Sequence, residues 1–124
     1  MTASTTYRAI VLEHFRRARN RSSLPGASHE AAGVNPLCGD RVRIQLRVLD
    51  GTIAEARFTA DACALCIATA SLLTEHVRGL STEQAGAVDG QWIRTSLGGD
   101  PPPGRTRCAL LPLETLRRAL GNHT

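Results

Sequence analysis

The 124-residue sequence contains no lysine: all fifteen of its basic residues are arginine, and the formal net charge is +4. Aromatic residues are almost as scarce, with one Trp, one Tyr and two Phe. Proteins that bind single-stranded nucleic acid combine cations with aromatic side chains that stack on the bases. No aromatic residue interleaves with the arginines at positions 16–21, so we expect no nucleic-acid partner. The basic excess suits docking to an acidic partner, or solubility.

The sequence also lacks a long apolar run and a recognisable leader. No stretch approaches the 18 apolar residues of a membrane-spanning helix, and residues 1–6 show no charged start followed by an apolar segment. We therefore expect no membrane partner and a cytoplasmic protein with reduced thiols. Its four cysteines then favour metal binding or catalysis over disulfides. The length suits a single domain, residues 1–124.

Apolar periodicity predicts one helix followed by an antiparallel hairpin. Helical spacing covers residues 5–19, and residues 20–36 are rich in Ser, Gly and Pro and are expected to form a loop or an irregular edge segment. Strict alternation predicts strands on either side of Asp50-Gly51, a strong hairpin turn. A two-residue turn would set apolar side chains opposite polar ones along the ladder. We therefore expect a three-residue loop, residues 49–51, that pairs Ile44 with Ala56.

Either register places residue 38 opposite residue 62 or 63, so Cys38 and Cys63 are expected to meet at one end of the sheet. Three helices are predicted beyond the hairpin: residues 63–77, a short one opened by a Ser81–Gln84 capping box and running to about Val88, and one that Cys108 opens. Residues 89–107 look like a loop. Pro112 is expected in the first turn of the last helix, where proline is tolerated.

Three separated thiols and one carboxylate form the candidate site: Cys38, Asp40, Cys63 and Cys108. This donor set suits tetrahedral Zn²⁺ or an iron–sulfur cluster, and the carboxylate gives a more exchangeable bond than a fourth thiolate. Two of the thiols are predicted at helix N-termini and one on a glycine turn, settings that stabilise an anionic sulfur. Cys66 lies on an apolar helix face and is interpreted as a core residue.

Other chemistries use the same residue types. Cys63-Ala-Leu-Cys66 is a C-x-x-C at a helix start, as in thioredoxin-type redox pairs, but an antiparallel hairpin precedes it rather than a βαβ unit. A zinc deaminase would need an H-x-E motif, which the sequence lacks. A cysteine nucleophile could use His14, His29 or His76 as its base, although none stands in a recognisable catalytic context. His29-Glu30 could be a metal pair, but a solvated loop pair is the simpler interpretation.

With these residues in view, the chain resembles the U-type iron–sulfur cluster scaffold family, which includes SufU, IscU and the N-terminal domain of NifU. The resemblance extends from Tyr7 to Leu120, and Asn35-Pro-Leu-Cys-Gly-Asp40 is its most specific motif. Further matching segments are Tyr7–Phe15, Glu55–Phe58, Cys63, Ile67–Ser71 and Arg107–Leu111.

The resemblance implies an α+β fold in which helices pack on one face of a three-stranded antiparallel sheet. It implies that Cys38, Asp40, Cys63 and Cys108 bind iron, a [2Fe–2S] cluster or Zn²⁺. Sulfur would come from a cysteine desulfurase and would pass to apo iron–sulfur proteins. Cys38 and Cys108 are the candidate persulfide acceptors.

The match to the known types is mixed. Arg107 precedes the last cysteine, as in SufU-type proteins, yet the insertion usual in that type is missing, and Ala62 replaces the usual glycine. The segment 102–105 resembles a chaperone-recognition motif without its apolar flanks, so no chaperone is predicted. Three hypotheses follow: an assembly scaffold, a zinc-dependent sulfurtransferase that relays sulfur, and a purely structural zinc module.

Overall fold

The computed structural model describes residues 4–121, so the ends of the expected domain, residues 1–3 and 122–124, lie outside the described part. A three-stranded antiparallel sheet, whose strands lie side by side in chain order, carries helices on one face. The elements are α1 (Ser4–Arg16), β1 (His29–Asn35), β2 (Asp40–Leu49), β3 (Thr52–Asp61), α2 (Ala64–Val77), α3 (Thr82–Gly86), α4 (Gly90–Leu97), a 3₁₀ turn (Pro103–Arg105) and α5 (Thr106–Ala119).

The β2–β3 hairpin has a different register from the expected one. Asp50 and Gly51 both adopt positive φ angles, 52° and 76°, which produces a two-residue type I′ turn. A bulge then follows, because Arg47 pairs with Glu55 while the next residue, Val48, pairs with Ile53. The extra residue on β3 restores apolar pairing beyond the bulge. The expected three-residue loop is therefore wrong. A two-residue turn is compatible with the alternation of apolar residues because the bulge shifts the register.

The bulge changes which side chains of β3 face the core. Ile53 and Ala56 are three positions apart, yet both are fully buried, whereas Ala54 is exposed. Ile44 consequently pairs with Phe58, not with Ala56. Ile44, Ile53 and Phe58 are all 0% exposed, and burial of each such side chain stabilises the fold by about 1.5–3 kcal/mol.

Strand β1, at the edge of the sheet, occupies part of the segment expected to be a loop or an irregular edge segment. Its inward-facing residues are Ala31, Gly33 and Asn35, none of them bulky and apolar, so the usual alternation signal is missing. The reason lies in α5, which packs closely across β1. A Cβ on Gly33 would overlap the Thr115 hydroxyl. The close approach of α5 explains both the glycine and the weak strand signal.

Helices cover one face of the sheet, as the family resemblance implied. α5 lies across β1 and β2, α2 packs against β3 and α5, and α1 packs on α2. The predicted helix at residues 5–19 ends earlier, at Arg16. The opposite face of β2 carries exposed Arg41 and Arg43. Within residues 4–121, no helix combines the length and apolarity needed to cross a membrane.

Two further expectations about the helices are wrong. Part of the presumed loop at 89–107 forms α4, which Asp89 caps by accepting the Trp92 backbone N–H at 3.0 Å and which Gly98 ends in the left-handed region. Pro112 lies inside α5, not in its first turn, because α5 begins at Thr106. Proline has no N–H to donate to the carbonyl four residues earlier, so the Cys108 carbonyl loses its regular helical partner.

Candidate metal centre

The turn between β1 and β2 presents the first thiol. The strands pair up to Asn35 and Asp40, and the Asn35 carbonyl accepts hydrogen bonds from the backbone N–H groups of Cys38 (3.2 Å) and Gly39 (2.8 Å). The Asn35 side-chain oxygen accepts the Leu37 N–H at 3.3 Å. Gly39 has φ 76°, so the turn depends on a residue without a Cβ. Cys38 is exposed at the tip of this turn.

Asp40 points into the protein because β2 alternates. It shares the inward face with Val42, Ile44 and Leu46, and only 2% of its surface is exposed. Its Oδ1 accepts the backbone N–H of Cys63 at 2.9 Å. Cys63 is the N-cap of α2 but makes no side-chain capping bond itself. The Asp40 carboxylate therefore satisfies a helix N-terminal donor, where negative charge is favourable.

The remaining thiols approach the same point. Cys108, in the first turn of α5 and 0% exposed, has its Sγ 3.8 Å from the Cys38 Sγ. The Cys63 Sγ lies 4.0 Å from Asp40 Oδ2. Ligand atoms of Cys38, Asp40 and Cys108 all lie within 4.8 Å of one another. The structure thus places Cys63 beside this trio, through its contact with Asp40.

The predicted meeting of Cys38 and Cys63 takes a modified form. Arg41 pairs with Asp61, so the ladder ends one step before Asp40. Asp40, rather than Cys38, contacts the Cys63 backbone. Cys38 and Cys63 nevertheless line the same cavity at this end of the sheet. The hairpin therefore brings the two motifs together with a register offset from the expected one.

These separations suit a tetrahedral thiolate site. Two sulfurs at about 2.3 Å from one tetrahedral Zn²⁺ are about 3.8 Å apart. The observed separation of the Cys38 and Cys108 sulfurs is 3.8 Å. Iron bound by thiolates and a carboxylate uses the same donor chemistry. The side chains present therefore fit a metal ion or a small cluster.

The expectation of an anionic sulfur is wrong for Cys108. Burial, followed by hydrogen bonding to Asp40, raises the pKa of its thiol well above the ordinary value. The favourable helix N-terminus does not outweigh the loss of solvent and the neighbouring acidic groups. A thiol of this kind gives up its proton when a cation binds, so metal affinity at such a site rises with pH.

An open cavity of about 480 Å³ leads to these groups. It is lined by Cys38, Gly39, Asp40, Asp61, Ala62, Cys63 and Arg105. The Arg105 guanidinium is exposed, and the negative potential of the nearby Cys63 raises its pKa. Tyr7 of α1 is also near, since burial and then the Cys63 charge raise the pKa of its hydroxyl. The thiols of Cys38 and Cys63 can therefore be reached from solvent past a single arginine among the lining residues.

The other candidates lie elsewhere. Cys66 is fully buried in the core, and burial raises the pKa of its thiol. His14 contacts Ser71 at 2.7 Å, and His29 contacts Ser28 at 2.9 Å. His76 stacks on Trp92, with ring centroids 4.3 Å apart. In the described part of the chain, no histidine joins the cluster of potential metal ligands.

Two site residues were not singled out from the sequence. Asn35 is 4% exposed, organises the turn and brings its Nδ2 to 4.0 Å from the Cys108 Sγ. An Asn that opens a turn before Pro is a recognised signal for this role. Arg105 was considered only as part of a proline-rich segment. Its position at the cavity depends on the 3₁₀ turn, which sequence patterns do not specify.

Fold and site together define a class: a small α+β domain that carries three thiols and a carboxylate at the end of its sheet. The chain belongs to the family of NifU-like N terminal domains, whose family model matches residues 6–124. It is 34% identical over 121 residues to the iron-sulfur cluster assembly scaffold protein IscU of Haemophilus influenzae, covering 94% of each protein. It is 32% identical over 122 residues to IscU of Escherichia coli K12, covering 94% of this chain and 93% of that protein.

A longer relative shares the domain. The chain is 38% identical over 118 residues to the bifunctional protein NifU/MnmA of Rubrobacter xylanophilus, covering 94% of this chain but only 24% of that protein. Among solved structures, a putative SUF-system scaffold protein from Fervidobacterium islandicum superposes with a TM-score of 0.79 at 20% identity, covering 96% of this chain and 99% of that chain. A NifU-like N-terminal protein from Brucella abortus gives 0.76 at 18% identity, covering 98% and 97%. These structures share the fold.

Proposed function

We propose that this protein is a scaffold for iron–sulfur cluster assembly. One observation carries the proposal: in a chain of the NifU-like N-terminal family, Cys38, Asp40 and Cys108 converge within 4.8 Å, with Cys63 against Asp40. The relatives from Haemophilus influenzae and Escherichia coli bear the name of iron-sulfur cluster assembly scaffold proteins. The cargo is iron and sulfide in the form of a nascent [2Fe–2S] cluster.

The proposed ligands are the three thiolates and Asp40. Asp40 is the hardest donor of the four, and the hydrogen bond that it accepts from the Cys63 N–H positions it at the site. A carboxylate exchanges more readily than a thiolate, which suits a site that loads and unloads. The cavity beside these groups gives cargo a route in and out.

Cys38 is the proposed sulfur acceptor. It is exposed on a turn that contains Gly39, whereas Cys108 is 0% exposed in the first turn of a helix. In the transfer step, the Cys38 thiolate attacks the outer sulfur of a persulfide on a cysteine desulfurase. The desulfurase S–S bond breaks, its cysteine leaves as a thiolate, and Cys38 gains the persulfide. This transfer involves no net oxidation or reduction. Conversion of the persulfide sulfur to cluster sulfide then takes up two electrons per sulfur, which an external reductant such as a dithiol supplies.

The decisive experiment is anaerobic reconstitution with ferrous iron, cysteine, a cysteine desulfurase and a dithiol that reduces persulfide sulfur to sulfide. Visible absorption and metal analysis follow. We expect a sulfide-to-iron charge-transfer band that is lost in Cys38→Ser. Cys66→Ser is the matched control, because it removes a thiol outside the cluster. Loss of the band in a folded Cys66→Ser protein, or its persistence in Cys38→Ser, would contradict the proposed site. Mass spectrometry without iron should find the added sulfur on Cys38.

A second candidate function is a zinc-dependent sulfurtransferase that relays sulfur from the desulfurase. Arg107 before Cys108 favours it, since SufU-type proteins carry this arginine. The same reconstitution separates the two: retained zinc, no band and stimulated desulfurase turnover would establish the relay. Absence of both band and stimulation would leave a structural zinc module. For either active role, we propose a cytoplasmic location, with apo iron–sulfur proteins or further assembly factors as recipients.

A further inference from the structure

Arg105 is the one basic side chain among the described residues that line the cavity of the site. The other lining residues include two carboxylates and two thiols: Asp40, Asp61, Cys38 and Cys63. Loading this site with anionic sulfur concentrates negative charge in a small space. A cation at the entrance offsets that repulsion.

The backbone fixes this arginine in position. Gly104 separates Arg105 from three consecutive prolines, residues 101–103, which restrict φ in the approach to α5. The Arg105 N–H donates to the Pro102 carbonyl at 2.8 Å and so closes the 3₁₀ turn. Within residues 4–121, the Arg105 guanidinium forms no ion pair with a carboxylate. Five other arginines do form such pairs: Arg19, Arg43, Arg57, Arg78 and Arg94. Its charge is therefore available to a ligand.

We propose that Arg105 is the positioning residue that makes this cavity selective for anionic sulfur, such as hydrosulfide or a persulfide anion, over neutral thiols. The guanidinium presents several N–H donors in a fixed plane, which suits an anion at the cavity mouth. Arg107, two residues later and the arginine by which the chain resembles SufU-type proteins, does not line the cavity. The anion's identity as sulfur rests on the proposed function, but the anion selectivity does not.

The test compares two alkylating reagents on the reduced, metal-free protein. Iodoacetate is an anion and iodoacetamide is neutral, but both react with the same thiolate. Both rates are proportional to the fraction of thiolate at a given cysteine, so this fraction drops out of their ratio. The ratio therefore reports the electrostatic potential at that sulfur. Mass spectrometry resolves the rates at Cys38 and Cys63, the two cysteines accessible to solvent.

We expect Arg105→Gln to lower the iodoacetate-to-iodoacetamide ratio at Cys63 by about five-fold at low salt, as for one charge about 4 Å away in water. The effect should shrink as ionic strength rises. Arg105→Lys keeps the charge and should retain most of the ratio. Arg107→Gln, the matched loss of one charge on the same segment, should lower it less, because Arg107 does not line the cavity.

An unchanged ratio in Arg105→Gln would overturn the proposal. An equal drop in Arg107→Gln would overturn it too, because the field would then be diffuse. The assay contains neither iron nor desulfurase, so its result is independent of cluster reconstitution. If reconstitution fails but the ratio depends on Arg105, the anion selectivity stands and the assignment to sulfur falls.

Discussion

Asp40 makes a capping contact and is the proposed metal ligand, and a pair of substitutions should separate these two roles. Its Oδ1 accepts the Cys63 N–H at the start of α2, and its other oxygen faces the thiols. Asp40→Ala removes both the hydrogen-bond acceptor and the potential metal ligand. Asp40→Asn keeps an acceptor oxygen for the Cys63 N–H but removes the negative charge. The two variants should therefore differ in metal-free stability and agree in metal binding.

The expected magnitudes follow from the geometry. A hydrogen bond to a charged group contributes about 1.5–3 kcal/mol, and a negative charge at a helix N-terminus adds about 0.3–1 kcal/mol. Relief from burying a carboxylate that is 2% exposed offsets part of this sum. We expect Asp40→Ala to lower the free energy of unfolding by about 2 kcal/mol. Asp40→Asn, which keeps a neutral hydrogen bond, should lower it by about 1 kcal/mol.

Urea denaturation of the reduced, metal-free proteins measures these differences. Repeating it with excess Zn²⁺ gives the added stabilisation, which depends on the dissociation constant of the metal. Both variants should lose a similar part of that stabilisation. Equal metal-free stability of the two variants would refute the capping role of Asp40. Undiminished stabilisation by Zn²⁺ in both would refute its role as a ligand.

Three further perturbations have defined outcomes. Gly33→Ala should lower the free energy of unfolding by about 1–3 kcal/mol in urea titrations, because the added Cβ meets the Thr115 hydroxyl. Adding Thr115→Ala to the same chain should recover part of this loss. The control Gly104→Ala, whose Cβ lies in open space, should lower the free energy of unfolding by less than about 0.5 kcal/mol. Burial lowers the pKa of His14, so below about pH 7 the unfolded chain binds a proton at this histidine more readily than the folded protein does. The free energy of unfolding should therefore decrease from pH 7 to pH 5, and it should decrease less steeply in His14→Asn. Cys66→Ala should lower the melting temperature but leave the zinc stoichiometry unchanged, and a lost zinc equivalent would contradict its assignment to the core.

The four proposed ligands could be selected from the sequence because each lies in a distinctive local setting. Cys38 and Asp40 flank a glycine at φ 76°, and Cys63 and Cys108 lie at helix starts. Local settings do not specify burial, however. The pKa of Cys108 is raised because tertiary packing removes it from water, and the helix end alone suggested the opposite. Arg105 was missed for a similar reason: its role depends on where the chain places it.

The fold could be predicted where side-chain patterns are strong and not where packing overrides them. β2 alternates cleanly, and its inward face is as expected. β1 gives no such signal, because α5 leaves room only for small residues beside Gly33. α4 is eight residues long, and its only sequence markers are the cap at Asp89 and the glycine at its end. Pro112 is accommodated inside α5 at the cost of one backbone hydrogen bond.

The bulge in β3 links two distant parts of the molecule. Arg47, where the register shifts, is seven residues along β2 from Asp40, a distance of about 23 Å. The shift determines which residue of the returning strand arrives beside Asp40, and so it aligns the Cys63 N–H with the carboxylate. A one-residue insertion or deletion at the solvent-exposed turn would therefore misalign the thiols at the opposite end. The number of residues between Asp40 and Cys63 should therefore be under tighter selection than the exposed position of the turn suggests.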